Sequence, residues 1–246
     1  MDNQNFNINY ANQPGLAKPL ERTFVANVFS WMSAALAITA ITSYVFGTDA
    51  SYISYLINVG EDGRVGMTAL GWIVTFAPIG FVLLMSLGFQ RLSSTALIAL
   101  FLVYSVIMGM SLSFIFLVYT QASIYSTFAI SAGMFGAMAL VGYTTNTDLT
   151  KFGSIMMMGL VGIIIASLIN LFVHSEGMNY IISILGVLIF TGLTAYDVQK
   201  IKRIGEGVEY GTEATSKLSI MGALNLYLDF INLFLFLLRL FGNRRN

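Results

Sequence analysis

Asp229 stands in the run Asn225-Leu-Tyr-Leu-Asp229-Phe-Ile-Asn232, a carboxylate set among apolar residues. In a helix, Asn225, Asp229 and Asn232 fall at i, i+4 and i+7 and share one face. If that helix crosses a bilayer, the charge alone costs about 2.5 to 3.5 kcal/mol on an insertion scale, so the stripe must face protein or water. A second carboxylate, Asp197, ends another apolar run, Thr191-Gly-Leu-Thr194-Ala-Tyr-Asp197. Thr191 and Thr194 precede it at spacing three, and their hydroxyls are expected to line a polar approach. Lys200, Lys202 and Arg203 follow and mark a membrane boundary, where long cationic chains snorkel. A purely local role for Asp197, paired with Lys200, is the alternative. Membrane carboxylates of this kind serve as proton relays or line ion paths.

The elements that carry these residues follow from composition. The chain has 246 residues, 57% hydrophobic and only 10% charged, with a mean hydropathy of +0.78. Soluble domains carry about a quarter charged residues, so a water-soluble globule is excluded. Apolar runs of about 20 residues, the length that spans hydrocarbon as helix, occur near 24–46, 67–89, 94–119, 123–144, 153–173, 178–199 and 217–241. The fold class is therefore an all-α membrane protein. Residues 1–22, polar and interrupted by Pro14 and Pro19, are expected to form a flexible tail; residues 23–242 form the transmembrane domain and 243–246 a short basic tail. Connections are short except for 47–66 and 200–216, which leaves no room for a separate catalytic domain.

Twelve basic residues balance twelve acidic ones, so nothing points to nucleic acid. With no cysteine and a single histidine, His174, thiolate and multi-histidine metal sites are absent and no cofactor is implied. The positive-inside bias places the N-terminus in the cytoplasm, with Lys18, Arg22, Arg91, Lys151, Lys200, Lys202, Arg203 and Lys217 inside and Arg64 outside. Arg239, Arg244 and Arg245 lie outside if the last span crosses fully and inside if it is re-entrant. Arg91, in the turn after the second span, shares the inner side with Asp197 and is within its expected reach; a plain topological anchor is the other reading. Ala129, Gly133 and Ala137 follow one face at spacing four, as in ordinary close helix packing. Met156, Met157 and Met158 read as apolar filler. No internal repeat supports an inverted-repeat transporter.

The segments Phe190-Thr-Gly-Leu-Thr-Ala-Tyr-Asp197-Val-Gln-Lys-Ile-Lys and Leu226-Tyr-Leu-Asp229-Phe-Ile-Asn-Leu-Phe-Leu-Phe-Leu-Leu-Arg239-Leu-Phe-Gly resemble the two characteristic helices of the Bax inhibitor-1 family. The resemblance extends over all seven spans in order and size. It implies a seven-helix bundle with the last helix central, acting as a pH-sensitive calcium leak in a bacterial inner (plasma) membrane. It further implies that Asp197 and Asp229 form the proton-sensing pair on the ion path, that Arg91 latches onto one of them, and that calcium meets the two carboxylates in passing. Relatives often carry several basic residues where this chain has Gln90-Arg91-Leu92. Membrane lipids and calcium ions are the expected partners, with protein partners open.

Elementary electrostatics fits that expectation: two adjacent carboxylates in a low-dielectric site do not readily both ionise and share a proton, and oxygen ligands suit Ca²⁺. Helix geometry raises a difficulty. Asp229 lies about 18 Å beyond Lys217, whereas Asp197 is only about 5 Å from Lys200, so span seven must start above the membrane or span six must protrude. Two other function classes compete: a proton-coupled cation transporter, and a non-conducting regulator acting through protein partners. An intramembrane aspartyl protease is disfavoured, because Asp229 follows Tyr227-Leu228 where that class has Gly-x-Gly, and no Pro-Ala-Leu occurs.

Overall fold

The structure, a computed structural model, describes residues 17–60, 64–209 and 211–245. Seven of its helices are long and apolar enough to cross a membrane. These are α1 (Ala17–Thr48), α3 (Ala69–Gly88), α4 (Ser94–Leu112) continued by the short α5 (Ile115–Val118), α6 (Gln121–Thr144), α7 (Thr150–Val173), α8 (Glu176–Gly207) and α9 (Glu213–Phe241). The segment expected as a plain loop over 47–66 instead holds a short helix, α2 (Ala50–Ile53), and a hairpin of β1 (Ile57–Val59) against β2 (Val65–Met67), with Asn58 opposite Gly66.

Local chemistry sets where the spans begin. Thr68, Ser93, Thr120, Ser175 and Thr212 are extended N-caps whose hydroxyls accept from the backbone N–H three residues on, satisfying a donor that the first helical turn leaves open. At the tight α7–α8 hairpin, His174 takes the left-handed conformation, φ 54°. The Asn170 side chain brackets Ser175 there, accepting from its N–H and donating to its carbonyl.

One boundary expectation needs correction. Residues 17–22 are helix, not tail; the rest of the expected tail, 1–16, lies outside the described residues. Pro19 sits in the first turn, where its missing N–H breaks no helical bond. Glu21 and Phe24 are buried there, and both pack on Gly205 of α8. At the other terminus, residues 243–245 are pinned rather than free. Thr120 N–H donates to Asn243 O (3.0 Å), Asn243 N–H to Ser123 Oγ (2.9 Å) and Arg245 N–H to Val118 O (2.8 Å).

That attachment also fixes the course of α9. It runs unbroken from the end of the bundle holding the start of α1 and the 89–93 and 145–149 turns, here the near end, to the opposite far end, where it meets the α5–α6 turn. Buried on almost every side, it packs against α1, α4, α6 and α8, as a helix apolar nearly all round must. Tyr227 anchors it, with its ring edge-on to Phe101 and Tyr104 and its hydroxyl 2.7 Å from Thr39 Oγ1, which donates to Ser105 O. Aromatic pairs of this kind add about 0.5–1.5 kcal/mol each beyond area burial. The geometric difficulty of the two aspartates resolves by protrusion. Helix α8 continues to Gly207, about 15 Å past Asp197, and α9 begins at Glu213, about 24 Å before Asp229.

The small-residue stripe of α6 does not pack. Ala129, Gly133 and Ala137 are exposed, and a Cβ added at Gly133 would meet nothing within 4 Å. The buried face of α6 carries Ser131, Phe135, Ala139 and Gly142. At Gly142 the backbone lies directly against the Ala195 carbonyl of α8.

Candidate functional site

Helix α7 packs on α8 but leaves a groove beside α9, a cavity of about 900 Å³. Its polar wall is the stripe expected from the sequence, Asn225, Asp229 and Asn232. The stripe runs on to Phe236 and Arg239, i+11 and i+14 from Asn225 and thus on the same face. Helix α8 contributes Phe190, Leu193, Tyr196, Asp197 and Lys200, and α7 supplies a largely apolar wall from Met157 to Leu171. The groove runs from Arg239, His174 and Asn179 at the far end to Met157, Lys200 and Asn225, about two to three turns short of the near ends of α7, α8 and α9.

Asp229 is 5% exposed, and Asp197 is half-buried beside it. Their carboxyls lie within side-chain hydrogen-bonding reach of one another. Among the described residues no N–H or O–H donates to Asp229 Oδ2, so the pair is held together by a proton of its own or not at all. Lys200, one turn on, exerts its charge on Asp197. The flanking amides are partly committed, with Asn232 Nδ2 donating to Leu228 O at 2.8 Å, which leaves its side-chain carbonyl oxygen for the groove.

Three expected neighbours do not line this groove. Thr191 and Thr194 donate to Val187 O and Phe190 O of their own helix, and neither lines the groove. Arg91 is exposed and has no ion pair with Asp197; the nearby α4 start is met instead by Glu213 of α9, which accepts from Ser94 N–H at 3.3 Å. Helix α3, which leads into the turn holding Arg91, packs on α4 and the hairpin and makes no substantial contact with α8.

A clamp that the sequence reading missed ties the near part of α8 to the α6–α7 turn. Gln199 accepts from Leu149 N–H and donates to Thr147 O, Lys202 reaches Tyr143 O, and Arg203 pairs with Asp148 at 2.8 Å. Hydrogen bonds from the Thr150 hydroxyl and backbone, with Arg203 adding to them, hold the Asp148 carboxyl down to about 2. The folded value is depressed, so this contribution is complete above the ordinary carboxylate range and fades only as pH falls toward 2. Between pH 5 and 8 the clamp is therefore silent. Its signal in the sequence was Gln199 and Arg203 on one face of α8 at spacing four.

The family model described as inhibitor of apoptosis-promoting Bax1 matches residues 21–246, a span that takes in the groove, both aspartates and all seven spanning helices. The chain belongs to the Bax inhibitor family. Among relatives, inner membrane protein YbhL of Escherichia coli K12 is 46% identical over 225 residues, covering 91% of this chain and 93% of the relative. An uncharacterized protein of Borreliella burgdorferi is also 46% identical, over 92% of this chain and 94% of its own length. An uncharacterized membrane protein of Streptococcus pyogenes is 36% identical over 89% and 92%. Membership of the Bax inhibitor family and the seven apolar helices together make the chain a multi-pass membrane protein.

For a divalent cation the groove offers two carboxylates and the amide oxygens of Asn225 and Asn232, all hard oxygen donors suited to Ca²⁺. Six to eight oxygens make a tight calcium site, and among the described residues no group of three or more acidic, histidine or cysteine side chains gathers to hold one. The donor set thus fits brief coordination with water completing the shell.

Proposed function

We propose that the chain is a pH-sensitive calcium leak of the Bax inhibitor type, in which ions pass along the α7–α9 groove and Asp197 and Asp229 share the proton that sets conduction. The observation carrying this reading is a carboxylate as buried as Asp229 in a groove that runs inward from His174 and Arg239 at the far end of the bundle to Asn225 and Lys200, about one turn past the two aspartates. A buried charge without a structural partner is costly, and among the described residues neither aspartate forms an ion pair that would account for it. Calcium flux into liposomes containing only this protein, at several pH values, tests the reading; no flux above protein-free liposomes overturns it.

The orientation belongs to the same proposal. Eight basic residues, Lys18, Arg22, Arg91, Lys151, Lys200, Lys202, Arg203 and Lys217, gather at the near end, against Arg64, Arg239, Arg244 and Arg245 at the far end. The positive-inside bias then makes the near end cytoplasmic in a bacterial inner membrane, the name given to YbhL. Because the chain has no cysteine, single ones report cleanly. A cysteine at Tyr55 is expected to label from outside the cytoplasm and one at Glu206 from within; the reverse pattern inverts the topology.

In this proposal Arg91 acts as a latch of a closed arrangement, in which α3 approaches α8. Releasing a partly exposed ion pair is worth up to about 1 kcal/mol, so Arg91→Ala is expected to raise resting leak by about fivefold. Unchanged flux and unchanged pH response make Arg91 a topological anchor only.

A further inference from the structure

On the back of α9, away from the aspartates, a second cavity of about 200 Å³ lies among α1, the α4–α5 corner, α6 and α9 in the far half of the bundle. Aromatic rings dominate its wall: Tyr44, Phe116, Tyr125, Phe128 and Phe234. Phe128 stands edge-on to Phe230 and Phe234 of the central helix, and Tyr44 edge-on to Phe116. Tyr44 and Tyr125 are also about half exposed on the outer surface of the bundle. They form a portal through which a molecule dissolved in the bilayer can enter sideways.

One polar group in this cavity lacks a partner. Many hydroxyls in the spans donate to the carbonyl one turn back, as Ser105 does to Phe101, Ser131 to Thr127 and Thr194 to Phe190; Ser219 and Tyr104, away from this cavity, have no partner among the described residues. Ser43 is 5% exposed, yet its Oγ has no partner among the described residues. Thr39, the other hydroxyl on the wall, is already committed to Ser105 O and Tyr227 OH. Water is a poor occupant, since a buried water needs two to four polar partners and Ser43 is the one buried hydroxyl of the wall without a partner among the described residues. An apolar cavity of about 150 Å³ takes up benzene, so this space suits one six-membered ring with a small substituent. Edge and face contacts with five rings favour an aromatic guest, and the free hydroxyl favours one that brings a hydrogen-bonding group.

We propose that this cavity binds a small aromatic alcohol of the phenol class, taken up from the bilayer between Tyr44 and Tyr125, with the ring among the aromatic side chains and the hydroxyl on Ser43. The site is independent of calcium conduction, although its occupant presses on Ile231 and Phe234, within two turns of Asp229 on the same helix.

The test uses 4-fluorophenol and fluorobenzene as paired probes, followed by ¹⁹F NMR on the full-length protein in lipid nanodiscs, with protein-free nanodiscs correcting for partition into lipid. Wild type is expected to bind 4-fluorophenol saturably and about five- to tenfold more tightly than fluorobenzene, the worth of one buried hydrogen bond. Ser43→Ala, a change too small to disturb folding, should bring the two probes to equal affinity while leaving fluorobenzene binding in place. Ala40→Phe, which places a ring at the partly exposed mouth, should abolish saturable binding of both. Equal affinity of the two probes in wild type, a preference that survives in Ser43→Ala, or signals no different from protein-free nanodiscs would each overturn the proposal.

Discussion

Replacing Asp197 and Asp229 together by Asn is expected to flatten the pH dependence of calcium flux through reconstituted protein and to lower flux at neutral pH by at least about tenfold, the equivalent of ~1.4 kcal/mol. Asn keeps the size and the hydrogen-bonding capacity of Asp while removing the charge, so packing around α8 and α9 is preserved. The sign of the response has two parts. Protonating the pair weakens its attraction for a passing cation, which lowers flux; it also loosens any hold on Arg91 in a latched state, which raises flux. The Arg91→Ala background removes the second part, and there acidification is expected only to reduce flux. Because the two carboxyls share a site, they titrate as one unit, and the two single substitutions should be strongly non-additive with the double. Additive single effects would mean two independent sites. The remaining titratable groups of the groove, Tyr196, Lys200, His174 and Arg239, provide the control. Among them His174→Asn, which removes the one imidazole, should leave the pH profile in place. A profile that survives the double Asp substitution but collapses in His174→Asn would move the sensor to the far mouth. Proton flow that accompanies calcium in fixed ratio would favour the coupled transporter over a leak.

The spans, their order and the polar face of α9 were legible because each rests on a short-range rule: apolar length for the helices and a 3.6-residue period for the stripe. What the sequence reading missed depends on contacts between distant residues. Nothing local distinguishes Gly133, which faces outward with open space, from Gly142, which lies against another backbone; both are glycines on the same apolar helix. The N-caps were present as Thr68, Ser93, Thr120, Ser175 and Thr212, and attention to them would have moved the starts of α6, α8 and α9 outward by two to four residues. The apolar run of α8 ends at residue 199, yet Lys202 and Arg203 beyond it are helical and, with Gln199, spend their polar groups on the α6–α7 turn. The position of Arg91 was beyond any reading of spacing, since it depends on whether α3 leans on α4 or on α8.

Gly142→Ala is expected to destabilise the bundle in a way that Gly133→Ala does not, and the contrast isolates the α6–α8 contact. A Cβ at Gly142 would overlap the carbonyl of Ala195, and both partners are helical backbone, so neither rotates aside; the helices must part. Overpacking of this kind costs about 1–3 kcal/mol. The gain in helix propensity from Gly to Ala, up to about 1 kcal/mol, offsets part of it and leaves a net loss. At roughly 2–4 °C per kcal/mol for a chain of this size, the midpoint of thermal unfolding in detergent, read at one scan rate, should fall by about 5 °C. Gly133 has open space around it and should hold or slightly raise that midpoint. The same substitution has a functional reading, because Ala195 is two residues from Asp197. Parting α6 from α8 there changes how Asp197 meets Asp229, so the pH at which calcium flux changes should move even under conditions where the variant stays folded. A fall in the midpoint without any change in the pH profile would make Gly142 a packing residue alone, and would mean that α9, not α6, sets the alignment of the two carboxyls.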